Sequence, residues 1–205
     1  RVAARSWVGL LRLERLDLTV VPKLAGGNLG LIDMVAFTTG LDALKNSRGR
    51  RTLNAEGLSL FDLMAFLLVE QCEEVLRDGL LSDYVEREES LPVIRGRLLA
   101  DQQVLRRFAR VDQVICRHDS HEQDIAENQL LAAALSRCAT RVRHDLTRQR
   151  VRRQLAILLE ACDPAALELG VVRREMAYHR LNAHYQDAHA LAWLVLDGLG
   201  TKDLL

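Results

Sequence analysis

Cys116, His118, Asp119 and His121 fall within six residues of one another, and all four are types that ligate divalent cations. A closed zinc site needs four such ligands in tetrahedral arrangement, and no second cluster at a suitable spacing supplies a remainder. The competing reading is a strand end running into a polar loop, with Asp119 and His121 in solvent. A second group, His179, His184 and His189, repeats every five residues. On a helix that spacing turns each ring by about 140°, so the three share no face. They cannot make the i, i+4 pair of an H-E-x-x-H site, and they read as solvated or capping histidines.

A third group is basic. Arg137, Arg141, Arg143, Arg148, Arg150, Arg152 and Arg153 crowd one stretch, opposed by Asp145. On a helix through this stretch Arg141, Arg148 and Arg152 lie near one face, where guanidinium groups would meet phosphates or an acidic partner. The same residues would also suit a solvated helix exterior whose arginine stems cover apolar surface. No aromatics are interleaved, which argues against stacking on single-stranded bases. Other reaction centres are missing. There is no G-x-x-x-x-G-K-[ST] loop and no G-x-S-x-G elbow. Metal-dependent nucleases bring carboxylates together on a cation, commonly as an Asp and then Asp/Glu-x-Lys on adjacent strands. The nearest string, Asp197 to Asp203 around Lys202, lacks that spacing and follows a helix.

The elements that must position these groups fit an α+β chain. At 205 residues it can bury a core without staples, and with 4% aromatics that core is built from Leu, Val, Ile and Ala. Leu16-Asp17-Leu18-Thr19-Val20 alternates as a strand with one buried face, Trp7 to Leu13 is its expected partner, and Pro22 ends the ladder. Gly26-Gly27-Asn28 reads as a loop, Leu31 to Leu44 as a helix, and Arg48 to Arg51 as a basic loop. Ser59 with Asp62 resembles a capping box, ahead of a helical stripe of Phe61, Met64, Leu68, Cys72 and Val75 that stops at Gly79. Tyr84 to Glu89, Leu91 to Leu98 and Val111 to Arg117 read as extended.

Three helices are expected beyond Asp124. The first carries Leu131, Leu135 and Cys138, capped by Asp124 and Glu127. The second carries Val151, Leu155, Leu158, Leu159 and Cys162, and Asp163-Pro164 then fits an N-cap followed by proline at a first helical position. The last carries His184, Ala188, Leu191 and Val195 and ends near Gly198. The expected architecture is thus a small β-rich N-terminal unit (1–55), a helix with short strands (56–122), and a helical region (123–205).

A formal net charge of zero excludes bulk polyanion binding, so any nucleic-acid surface would be local. The four cysteines are widely spaced and read as buried thiols of a reducing cytoplasm. Arg or Asp interrupts every leucine cluster, so no apolar run spans a bilayer. The sequence opens on Arg1 and ends on Leu205 just after an apolar helix, as expected of an excerpt from a longer protein.

Four stretches, in order, resemble the McrC family of 5-methylcytosine-dependent restriction systems. They are Trp7-Val8-Gly9 with Leu16 to Lys23, Leu91-Pro92-Val93-Ile94-Arg95-Gly96-Arg97-Leu98, Cys116 to Leu135 with Asp119, Asp124, Asn128 and Leu131, and Leu181-Asn182-Ala183-His184-Tyr185. Gln129 departs from the pattern, standing where the family usually has arginine. The resemblance implies a protein whose N-terminal part enters the central channel of an McrB AAA+ GTPase ring and stimulates GTP hydrolysis. A PD-(D/E)xK nuclease would follow beyond this chain and cut DNA after translocation. GTP would then sit on the partner and Mg with the nuclease, leaving this chain without catalytic residues, cofactor or metal of its own. DNA would be reached only through the complex, and no membrane is involved. The expected partner contacts are Arg95, Arg97 and the arginines from Arg141 to Arg153, chiefly Arg141, Arg148 and Arg152, with edge-strand protection as the competing role for Arg95 and Arg97. Two other classes stay open: a DNA-binding module using the arginine-rich helix, and a small metal-dependent enzyme using the Cys116–His121 cluster.

Overall fold

Strands β1 (Gly9–Leu13) and β2 (Leu16–Val20) form an antiparallel hairpin ladder from Gly9 opposite Val20 to Leu13 opposite Leu16. The expected alternating strand and its partner are therefore both present. The computed structural model describes residues 9–13, 16–20, 23, 27, 30, 32–34, 37, 58–108, 112–198 and 201–203. Most of the expected 31–44 helix and the whole Arg48–Arg51 loop lie outside them. These residues form two units, one from 81–125 and one from the chain on either side of it.

Helix α1 (Leu60–Asp78) begins where Ser59 caps it, accepting the Asp62 N–H at 3.0 Å, and stops at Gly79 with φ 98°. Phe61, Met64, Leu68, Cys72 and Val75 are buried as their spacing predicts, and so are Leu63, Leu67 and Val69 on other faces. A helix apolar on several faces belongs in the middle of a core. Asp62 does more than the capping box asks. Its carboxylate takes the Ser59 hydroxyl at 2.6 Å and accepts the backbone N–H groups of Arg143 and His144 at 2.8 and 3.2 Å.

The smaller unit contains β3 (Asp83–Leu91), β4 (Arg97–Leu98), α2 (Ala100–Arg107) and β5 (Val114–Glu122), with strand order β3-β5-β4 and antiparallel pairing throughout. The expected extended run from Leu91 to Leu98 keeps only two residues in the ladder. Pro92 has no N–H to give, and Gly96 turns the chain at φ 68°. Conversely, β5 runs past Arg117 to Glu122.

The remaining chain is helical: α3 (Ala126–Arg141), α4 (Asp145–Ala161), α5 (Leu169–Glu175) and α6 (Gln186–Leu196), with 3-10 turns at Pro164–Ala166 and Ala183–Tyr185. α3, α4 and α6 all pack on α1. Leu131, Leu135 and Cys138 are buried on α3, and Ala188, Leu191 and Val195 on α6, as expected. On α4 the buried row is Thr147, Val151, Gln154 and Leu158, spaced four, three and four residues apart. Leu159 was expected on that face but lies about 100° further round than Leu158 and is half-exposed. His184 sits in the turn before α6 rather than on it. Asp163 caps the Pro164 turn as expected, accepting the Ala165 N–H at 2.9 Å. Strand β6 (Thr201–Asp203) pairs parallel with β1, so the hairpin becomes a sheet of order β2-β1-β6. Together the elements make an α+β chain, and none of the described helices is long and apolar enough to cross a membrane.

Candidate partner-binding surface

The arginines of the helical unit divide by what holds them. Arg150 sets its Nε 3.1 Å and its Nη2 2.8 Å from the two carboxylate oxygens of Glu73 on α1, with its guanidinium 4.9 Å from the Phe66 ring centre. Arg137 donates to the Leu196 carbonyl at 2.9 Å, tying α3 to the end of α6. Both are fasteners of the core. Arg148 pairs with Asp145 one turn back on the exposed side of α4. Arg152 lies one turn further along the same face and is exposed, as is Arg153. Arg141 does not join them on one helix, as expected from spacing. It is the last residue of α3, and residues 142–144 break the helix before His144 caps α4.

Arg97 stands on β4 and Arg95 in the loop before it, and both are exposed. The glycine between them has a steric reason. A Cβ on Gly96 would lie 2.8 Å from the His118 Cβ and closer still to the Arg117 carbonyl. With its positive φ, Gly96 lets the chain pass close against β5 at Arg117 and His118. Arg97 stands on the edge strand directly opposite Arg117. Arg117 itself is drawn across to β3, where it pairs with Glu88 and with Glu86 at 3.3 Å. Arg87 pairs with Glu122 in the same way. The hydrogen bonds from Arg117 and Arg87 hold the Glu88 and Glu122 carboxyls below the usual range.

The Cys116, His118, Asp119 and His121 cluster is dispersed by the pleat. It lies within β5, not in a polar loop as expected, so successive side chains alternate faces. Cys116 and His118 are buried on one face, while Asp119 and His121 are exposed on the other, where the His121 ring packs 5.1 Å from Tyr84. Among the described residues no three His, Cys, Asp or Glu side chains gather into a metal-holding group.

One polar network escaped the sequence reading. His189 is wholly buried on α6 rather than solvated or capping. Its Nε2 lies 3.0 Å from the Glu127 carbonyl, which can only accept, so the proton is on Nε2 and Nδ1 accepts the Tyr178 hydroxyl at 3.1 Å. Burial pushes its pKa down to about 4. Beside it the buried Tyr185 hydroxyl donates to Asn128 at 2.7 Å, and Asn182 donates to the Glu127 carboxylate at 3.3 Å and to the Ala177 carbonyl at 3.0 Å. Asn128, Asn182 and Tyr185 all stand in the stretches that carry the McrC resemblance. Together they tie the start of α3 to the turn that leads into α6.

Comparison with known proteins identifies the family of the chain. The family model for the McrBC 5-methylcytosine restriction system component matches residues 2–203. No curated protein matches. Among solved structures, the fold is similar to a chain of the refined half-complex from a tetradecameric assembly of Thermococcus gammatolerans McrB AAA+ hexamers with bound McrC. That match has a TM-score of 0.67 at 21% identity and covers 93% of this chain and 47% of the other. The cryo-EM structure of the Thermococcus gammatolerans McrBC complex gives a TM-score of 0.63 at 19% identity, covering 93% of this chain and 59% of the other. The chain therefore spans about half the length of the solved chains it matches. The family model's match along nearly its whole length makes this chain a member of the McrBC 5-methylcytosine restriction system component family.

Proposed function

We propose that this chain is a docking and activating region of an McrC-like subunit, which binds an McrB-type AAA+ GTPase ring and stimulates its GTP hydrolysis. The observation that carries the proposal is the fold match over 93% of the chain to an assembly of McrB hexamers with bound McrC. In this reading the chain is non-catalytic. GTP is held by the ring, DNA is reached through the complex, and the work is done in the cytoplasm. Guanidinium groups suit the task because a planar fork pairs with carboxylate or phosphate through two bonds at once. Arg95, Arg97 and Arg152 are exposed, whereas Arg148 would have to exchange Asp145 for a partner and Arg141 would act from the end of α3. Adding the chain to its cognate ring should form a stable complex and raise GTP turnover several-fold. If mass photometry shows no complex and turnover is unchanged, the proposal fails.

A further inference from the structure

Helix α2 is amphipathic the wrong way round. None of its residues is buried. The side facing the sheet is held by an amide: Gln103 donates to the Gln113 carbonyl at 3.0 Å and accepts the Ile115 N–H at 2.8 Å. Its solvent side carries Val104, Leu105 and, just past its end, Phe108, which are 58%, 84% and 80% exposed. At 100° per residue Val104 and Leu105 bound an arc of about 100° on the side away from Gln103, and Phe108 follows at the helix end, so the three make one exposed apolar patch. A polar inner face and an apolar outer face reverse what a helix resting on its own sheet requires.

The patch continues along one edge of the sheet. β4 pairs with Arg117 and Cys116 of β5, Leu99 donates to the Ile115 carbonyl at 2.9 Å, and Gln103 takes the next two groups. The chain from Gly96 to Gln103 thus follows the β5 edge opposite β3 from His118 back to Gln113. At the far end Val93 and Ile94 are also exposed, on the loop that Gly96 folds against β5. Charge is segregated as well. Positions 92–108 hold Arg95, Arg97, Arg106 and Arg107 against Asp101 alone, while β3 on the opposite edge carries Asp83, Glu86, Glu88 and Glu89 against Arg87 alone.

We propose that this edge, centred on Leu105 and Phe108 and flanked by Arg95, Arg97 and Arg106, is an apolar anchor that seats in a hydrophobic depression rimmed by carboxylates on the ring partner. The inference rests on the ring-docking reading above. It adds that the energetic centre of the contact is apolar, with the arginines steering and framing it. A few fully desolvated anchors at the centre carry most of an interface's energy, whereas rim charges chiefly set the rate and register of approach.

The test uses the full chain and its cognate GTP-loaded ring, with affinity followed by biolayer interferometry. The double variant Leu105→Asp with Phe108→Asp should bind roughly a hundredfold more weakly, losing the apolar contact and adding repulsion from the rim. The matched Leu105→Lys with Phe108→Lys pair should lose only about tenfold, because its new charges suit the rim. Both should melt where the unaltered chain does, since the replaced side chains are exposed. If the unaltered chain binds and both variants bind within about twofold of it, the anchor is overturned while docking stands. Equal losses for the Asp and Lys pairs would overturn the carboxylate rim. No binding by the unaltered chain would overturn the docking reading and this inference with it. Self-association of the free chain, abolished by either pair, would assign the edge to a second copy and overturn the ring as its occupant.

Discussion

In the helical unit, long polar side chains are turned inward and fastened. Arg150 lies along Phe66 to reach Glu73, Arg137 closes the end of α6, and His189 is sealed between Tyr178 and the Glu127 carbonyl. In the small sheet unit the opposite holds: Leu105, Phe108, Val93 and Ile94 face outward while Gln103 faces the sheet. The two regions depart from the usual placement of residues in opposite senses. Inward-turned polar groups with fixed partners in the first hold one arrangement of helices, and exposure of apolar surface in the second leaves free energy available to a partner.

The largest effect that would sharpen this contrast comes from truncating matched leucines. Leu68→Ala on α1, where no solvent reaches the side chain, should cost about 2–5 kcal/mol in urea unfolding. Leu105→Ala on α2 should stay within about 0.5 kcal/mol. Comparable losses at both sites would mean that α2 is core and the contrast is mistaken.

Acid should act on the helical unit next. His189 titrates at about 4 in the folded chain, against 6.5 for an ordinary histidine, because burial disfavours its charged form. As pH falls, the unfolded chain therefore takes up this proton first. The stabilisation is whole above about pH 6.5 and drains away between there and pH 4, by up to about 3 kcal/mol. Replacing His189 with Gln should flatten that slope, and an unchanged slope would remove His189 from the account.

Gly96→Ala should cost about 1–3 kcal/mol, through positive φ and the blocked approach to β5. Its effect should appear in amide exchange of β4 and β5 and leave α1 untouched. Glu73→Gln is the mildest test. The pair with Arg150 is about one-third exposed on each side, so solvent screens it and the loss should be about 1 kcal/mol.

Legibility in the sequence followed how local each cause is. Both ends of α1 could be read, because Ser59, the buried stripe and Gly79 act within the helix itself. The hairpin of β1 and β2 was equally plain from its alternation. Helix α2 was not, since its apolar side chains face outward and its inner contacts are made by Gln103. β6 is three residues long, too short to show a period, and its partner β1 lies at the other end of the chain. For the arginines, composition located the cluster but could not say which were occupied. Glu73 is 77 residues from Arg150, and nothing in either neighbourhood announces the pair. Asn128, Asn182 and Tyr185 stood out only through the family resemblance, and their joint role needed the packing of α3 against α6.

The most direct test of the outward-facing sheet unit is hydrogen–deuterium exchange of the full chain with and without its GTP-loaded ring. Exchange across residues 92–108 should slow on binding, with the α1 core already slow in both states. Complex formation with no change across 92–108 would contradict it.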